Sequence, residues 1–140
     1  MTLDITSIQK AVLSLGKAVN TYADKSFLEL NEDQQDTLKA GIIQNFELTY
    51  ELCWKFMKRW LKENDVYSEV DNPRTRNDII RLAARHHLIT DPEKWFDYGN
   101  ARNLISHTYN EDVAETILKT AVVFLDDAQY LLKQLTRYND

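Results

Sequence analysis

Four polar side chains that could act on a phosphodiester lie close together in the stretch ARNLISHTYNED: Arg102, Asn103, His107 and Tyr109. A histidine titrates near neutral pH and can serve as a general acid or base. An arginine can hold phosphate oxygens through two parallel hydrogen bonds and stabilise developing negative charge. Side chains of these types could therefore transfer a proton and hold a phosphate group, with Asn103 orienting either the phosphate or the histidine.

These side chains do not share one face of a regular helix. Steps of four and seven place Arg102, Ser106 and Tyr109 on one stripe, whereas a step of five puts His107 about 140° from Arg102. The two converge within one chain only if the helix loosens, as in a π-like turn. They could also converge across a two-fold interface, where each protomer lends its own pair to a shared cleft. Less specific interpretations make His107 a histidine favoured by a helix C-terminus, Arg102 a surface arginine paired with a carboxylate, and Tyr109 a packing residue.

Hydrophobic periodicity predicts the helices that position this stretch. The chain has 140 residues with only 3 Gly and 2 Pro, which favours long helices in a single domain, residues 1–140. Apolar residues at steps of three and four predict helices over about 4–25, 32–64, 76–87, 92–107 and 111–137. The expected N-caps are Asn31, Asp91 or Thr90, and Asn110. The pattern predicts an all-α, up-and-down bundle of about five helices, four long and one short.

The predicted second helix carries both an ion pair and an aromatic set. Glu51 precedes Lys55 by four residues, the favourable order for a pair within one helix. The aromatic residues fall at helical spacing within apolar stripes, so we expect them in the core and a dimer interface rather than stacked on bases. They are Phe46, Trp54, Phe56 and Trp60, together with Trp95 of the fourth predicted helix.

A basic segment lies upstream of the polar stretch. Arg74, Arg76, Arg81 and Arg85 are interrupted by one acid, Asp78. They could contact RNA phosphates, or they could form the solvated face of a short helix.

Composition limits the classes of protein to consider. A net charge of −5 argues against coating nucleic acid by bulk attraction, although a local basic cleft remains compatible with it. We expect the single cysteine, Cys53, to be a buried thiol. The chain shows no secretory signal and no apolar run near the ~18 residues of a membrane span, so a cytoplasmic protein with no membrane partner is expected. His86 and His87 are adjacent and cannot share a helical face, so we expect no metal and no cofactor.

Several stretches resemble the HEPN superfamily, small helical bundles marked by R-x4–6-H. The resemblance is stronger to its nucleotidyltransferase substrate-binding branch, related to HepT toxins. It rests on GIIQNFELTYELCWKFMKRWL at 41–61, NPRTRNDIIRLA at 72–83, DPEKW at 91–95 and ARNLISHTYNED at 101–112. The HepT form of the motif, R-x4–6-H-x-Y, reads Arg102, His107 and Tyr109. The chain departs from the family at His86-His87-Leu88, where members often carry a glycine.

The resemblance implies metal-independent RNA cleavage at a homodimer cleft, with Arg102, Asn103 and His107 as catalytic residues. It also implies a minimal nucleotidyltransferase partner that acts as antitoxin and adenylylates the residue matched by Tyr109. The assembly could be the dimer alone or a heterotetramer with this partner. An alternative is a non-catalytic subunit that presents substrate to, or regulates, a separate nucleotidyltransferase. A third interpretation is a purely structural dimerising bundle in which the motif is vestigial.

Overall fold

The computed structural model describes residues 3–64, 75–107 and 110–139, except for the side chains of Ser106 and His107. Within these ranges the regular secondary structure is helical and no strand occurs. The elements are α1 (Thr6–Ala23), a short 3-10 helix (Lys25–Glu29), α2 (Glu32–Glu63), α3 (Arg76–Arg85), α4 (Pro92–His107) and α5 (Glu111–Arg137). The predicted all-α bundle of five helices, four long and one short, is confirmed. The predicted ends of the first and third helices were each about two residues too late.

Side-chain caps explain where α2, α4 and α5 begin. Asn31 accepts a hydrogen bond from the backbone N–H of Gln34 at 2.8 Å, and the Gln34 side chain accepts one in return from the N–H of Asn31 at 3.0 Å. This reciprocal capping box satisfies two of the unpaired donors at the start of α2. Asp91, rather than Thr90, caps α4 by accepting from the N–H of Glu93 at 3.0 Å. Asn110 caps α5 as predicted, accepting from Val113 at 2.9 Å.

The core lies between α1, α2 and α5, and α4 closes it. The long α2 contacts all four other α-helices, while α4 also packs on α3 and α5. An aromatic cluster joins these helices. In each neighbouring pair of its rings the centroids are at most 6.3 Å apart, and the members are Phe46, Tyr50, Trp95, Tyr98 and Phe124. All five are buried. Burial of large aromatic rings contributes strongly to stability, so this cluster fixes α4 against α2 and α5.

The end of α3 is a left-handed turn built on a histidine. His87 has φ of 64°, a region that glycine occupies without strain. The N–H of Leu88 donates to the carbonyl of Ala83 at 2.9 Å and the N–H of His87 to that of Ala84 at 3.1 Å, which is the Schellman pattern. The buried Leu88 side chain and a 2.8 Å hydrogen bond from Gln134 to the carbonyl of His87 hold the turn. The turn is therefore formed although a histidine, not a glycine, occupies the left-handed position.

Two further predictions concern burial and membranes. Cys53 is fully buried, as predicted, and burial raises the pKa of its thiol. Over the described ranges, no helix is both long enough and apolar enough to cross a bilayer.

Candidate functional site

The polar stretch occupies the last turns of α4 and the start of α5. Arg102 is half-buried and Asn103 is exposed on α4, and His107 is the last residue of that helix. The side chain of His107 and all of Tyr109 lie outside the described residues. The predicted convergence of Arg102 with His107 therefore stays a prediction, as does the role of Tyr109.

Arg102 is held by a carboxylate from α2. Its Nε donates to Oε1 of Glu51 at 2.9 Å, and the two side chains are 29% and 26% exposed. The other carboxylate oxygen, Oε2, accepts from the indole N–H of Trp54 at 3.1 Å. Both oxygens of Glu51 are thus engaged, and an indole–carboxylate–guanidinium chain runs from α2 to α4. The predicted Glu51–Lys55 pair is wrong, because Glu51 pairs with Arg102 of α4.

A second arginine, Arg76 of α3, lies against Gly99 of α4. The guanidinium carbon of Arg76 sits 5.4 Å from the ring centroid of Tyr50, a cation–π contact. Both groups press against Gly99: a Cβ placed there would lie 2.6 Å from the Tyr50 hydroxyl and 2.9 Å from Nη2 of Arg76. Only a residue without a side chain permits this approach. Gly99 precedes Arg102 by three residues, so the two lie on neighbouring parts of one helix face.

Four side chains set the electrostatics around Gly99: the cations Arg76 and Arg102, the anion Glu51 and the phenol of Tyr50. Burial raises the pKa of Tyr50 to about 12, and the positive charges of Arg76 and Arg102 oppose that rise. Tyr50 therefore stays neutral at physiological pH. Its hydroxyl and Nε of Arg76 are both buried without a hydrogen-bond partner among the described residues. With Glu51 negative, the set carries an excess of one positive charge, which is favourable for phosphate.

Of the four arginines predicted to contact RNA, the three that the structure describes do not form one surface. Arg74 lies outside the described residues. Arg76 is turned inwards onto Tyr50, and a step of nine places it about 180° around α3 from Arg85. Arg81 and Arg85 are exposed and share a face. Arg81 also pairs with Asp78 at 3.3 Å and stacks on the ring of Phe96 at 5.1 Å.

An acidic groove of about 660 Å³ borders the start of α5. Its charged lining residues come from the first turns of α2 and α5: Glu32, Asp36, Lys39, Glu111, Asp112 and Glu115. Lys39 pairs with Glu115 at 3.5 Å, which leaves the groove strongly negative. A phosphate group would be repelled there.

Sequence reasoning missed three residues near Arg102. Glu51 and Trp54 were assigned to a helical ion pair and to packing, and Gly99 was not singled out. Trp54 is half-buried and packs against the core, whereas Trp60, Trp95, Phe46 and Phe56 are buried as predicted. One signal was present in the sequence: a glycine three positions before the motif arginine, inside a helix, indicates close approach by a neighbouring element.

No group of three or more His, Cys, Asp or Glu side chains is arranged to hold a metal ion in the part of the chain that the structure describes.

The chain is similar to known proteins over almost its whole length. Residues 3–137 match the family described as nucleotidyltransferase substrate binding protein like. A Haemophilus influenzae protein named "Probable ribonuclease HepT" is 36% identical over 138 residues, covering 98% of this chain and 94% of that protein.

Two solved structures share the fold. One is a Haemophilus influenzae protein described as having the fold of a substrate-binding domain of a nucleotidyltransferase. Its TM-score is 0.87 at 36% identity, and the alignment covers 95% of this chain and 99% of that protein's chain. A tri-AMPylated HEPN toxin of Shewanella oneidensis, solved in complex with an MNT antitoxin, has a TM-score of 0.66 at 18% identity. That alignment covers 95% of this chain and 92% of the toxin, and it supports the fold alone.

Proposed function

This chain is a HepT-like HEPN protein of the nucleotidyltransferase substrate-binding-like family, and on that premise we propose that it is the toxin of a two-component pair: a metal-independent endoribonuclease that works beside a minimal nucleotidyltransferase. The observation that carries the proposal is the placement of Arg102. It is half-buried and held by Glu51 at the end of α4, five residues before the histidine that ends the helix. The Haemophilus influenzae relative named as a probable ribonuclease supports the same activity.

In the proposed reaction the 2′-hydroxyl of RNA attacks the adjacent phosphorus. One His107 takes the 2′-hydroxyl proton, and the leaving 5′-oxygen receives a proton from a second His107. The P–O5′ bond breaks as the P–O2′ bond forms, which yields a cyclic phosphate and a free 5′-hydroxyl. Arg102 stabilises the negative charge on the phosphorane, and Asn103 orients the phosphate.

A homodimer would supply the two histidines from two protomers. Two exposed leucines lie on the helices that carry the ion pair: Leu48 of α2 is 55% exposed and Leu104 of α4 is 44% exposed. These apolar side chains support association through this part of the molecule. Sedimentation of the wild type and of Leu104→Lys would test it, with the variant expected to be monomeric.

The activity is tested by incubating the purified protein with tRNA and mRNA in excess EDTA. Cleavage should vanish in His107→Ala and in Arg102→Ala. Arg137→Ala, which removes an exposed arginine from the end of α5, serves as the control for a change of charge and should cleave like the wild type. Equal cleavage by His107→Ala would refute the assigned role of the histidine.

The nucleotidyltransferase partner is proposed to regulate the enzyme through Tyr109. The partner would transfer AMP from ATP to the tyrosine hydroxyl, with release of pyrophosphate. The added phosphate would place negative charge and bulk beside the motif arginine. Mass spectrometry after incubation with the partner, Mg²⁺ and ATP should find AMP on the wild type and none on Tyr109→Phe. An unmodified wild type would refute this regulation.

Contact with RNA is assigned to the exposed Arg81 and Arg85, with Arg74 on the same segment and Arg76 beside Gly99. Neutralising Arg81 and Arg85 together should lower the slope of log affinity against log salt by about two, one for each lost phosphate contact. An unchanged slope would make these arginines an ordinary solvated face.

The second candidate is a non-catalytic subunit that binds substrate for the nucleotidyltransferase. The description of the matched family and that of the Haemophilus influenzae structure favour it, and so does the net charge of −5. Absence of cleavage by the wild type, together with co-purification of a nucleotidyltransferase, would place this candidate first.

A further inference from the structure

We propose that Glu51 is a positioning residue, whose carboxylate, held by the Trp54 indole, fixes the guanidinium of Arg102 in the orientation that receives a phosphate group. This inference rests on the proposed function and assigns a role to residues outside the R-x4-H-x-Y motif.

The geometry of the carboxylate carries the inference. One oxygen of Glu51 accepts from Nε of Arg102 at 2.9 Å and the other accepts from Nε1 of Trp54 at 3.1 Å. A carboxylate with both oxygens engaged in different directions cannot rotate without losing a bond. Trp54 follows Glu51 by three residues on α2, so the indole and the carboxylate are neighbours by helix geometry alone. One of the two contacts that orient the carboxylate therefore lies within α2 itself.

Glu51 contacts one nitrogen of the Arg102 guanidinium. Glu51 contacts Nε, whereas the two terminal nitrogens of a guanidinium form the fork that matches two phosphate oxygens. The Glu51 contact therefore restrains the guanidinium of Arg102 through Nε. The pair is about three-quarters shielded from solvent, so it is less screened than a surface ion pair.

Neighbouring packing sets the register of α4 on α2. Tyr50, adjacent to Glu51, and Arg76 of α3 fit against Gly99, one turn before Arg102. This fit leaves no freedom for α4 to slide along α2 by a fraction of a turn. Arg102 therefore arrives opposite Glu51 in one position only.

The first test measures the restraint without relying on activity. In ¹⁵N-labelled protein, the Nε–H signal of Arg102 is assigned by its loss in Arg102→Lys, and its exchange with solvent is measured. Glu51→Gln should speed exchange by at least about tenfold, as expected for weakening a hydrogen bond between charged groups. Trp54→Phe should speed it less. The control is Glu63→Gln, an exposed glutamate about 18 Å further along α2, which should leave the rate unchanged. Unchanged exchange in Glu51→Gln overturns the proposal.

The second test measures the consequence for catalysis. Misplacing a charge-stabilising group by about 1 Å can cost ~10²-fold in rate, so Glu51→Gln should lower kcat by about that factor with little change in KM. Addition of guanidinium ions should partly restore cleavage to Arg102→Ala, and should fail in Arg102→Ala/Glu51→Gln because the binding carboxylate is gone. Cleavage by Glu51→Gln at or above the wild-type rate overturns the proposal and makes Glu51 a restraint that competes with phosphate.

The two tests separate this inference from the proposed function. A wild type that cleaves no RNA refutes the proposed function, and the exchange rate of the Arg102 Nε–H still decides whether Glu51 holds the guanidinium.

Discussion

Gly99→Ala tests the packing beneath Arg102, because alanine normally improves a helical glycine by about 1 kcal/mol. At this position the added Cβ would lie 2.6 Å from the Tyr50 hydroxyl and 2.9 Å from Nη2 of Arg76. The end of the arginine can swing away. The Tyr50 ring cannot, because it is fully buried among Phe46, Trp95 and Phe124.

The magnitude follows from these opposing effects. Overpacking a rigid core costs about 1–3 kcal/mol, and a contact this short belongs at the upper end of that range. After subtracting the gain in helix propensity, Gly99→Ala should lower the free energy of unfolding by about 1–2 kcal/mol. Gly41→Ala is the matched control. It also lies within a helix, but nothing approaches within 4 Å of its Cβ position, so it should raise that free energy by about 0.5–1 kcal/mol.

Urea unfolding followed by circular dichroism measures both variants. Tyr50→Phe removes the hydroxyl that obstructs the new methyl group, and it should be close to neutral alone because that hydroxyl lacks a partner among the described residues. In the Tyr50→Phe background the cost of Gly99→Ala should fall to below about 0.5 kcal/mol. The reasoning is refuted if Gly99→Ala stabilises as much as Gly41→Ala, or if its cost is the same in both backgrounds.

Three further predictions concern other elements. His87→Gly should raise the free energy of unfolding by about 0.5–1 kcal/mol, since it relieves the left-handed backbone at φ of 64°. His86→Gly is the control and should not raise it, because His86 has φ of −99°. Equal effects of the two substitutions in urea unfolding would contradict this account. Tyr50 has a folded pKa of about 12 against an unfolded value of 10.0, so its contribution is fully present below pH 10 and is lost as pH rises towards 12. Between pH 9 and pH 11 the wild type should lose about 1.4 kcal/mol more stability than Tyr50→Phe, and parallel losses in urea unfolding would refute this. Asn110→Ala removes the cap of α5 and should cost about 1 kcal/mol in thermal unfolding, whereas an unchanged midpoint would show that the cap is dispensable.

The arrangement of helices follows from signals carried by neighbouring residues. Period-3.6 apolar stripes and polar caps at Asn31 and Asn110 act within one or two turns, so they can be read from the sequence. The same locality explains the errors. Nothing in ARHHLIT marks the end of α3, because His87 is held in its left-handed conformation by burial of Leu88 and by Gln134, 47 residues away.

The motif residues Arg102, His107 and Tyr109 could be identified from their types and spacing, but their surroundings could not. Local rules paired Glu51 with Lys55, since residues four apart in a helix are neighbours. Tertiary packing instead brought Arg102, 51 residues away, onto the same carboxylate. The sequence by itself determined a helical bundle and the chemical types at the end of α4. Only the tertiary structure decided which carboxylate holds the arginine and why Gly99 must be a glycine, because both depend on how closely two helices approach, and that distance is set by every side chain between them.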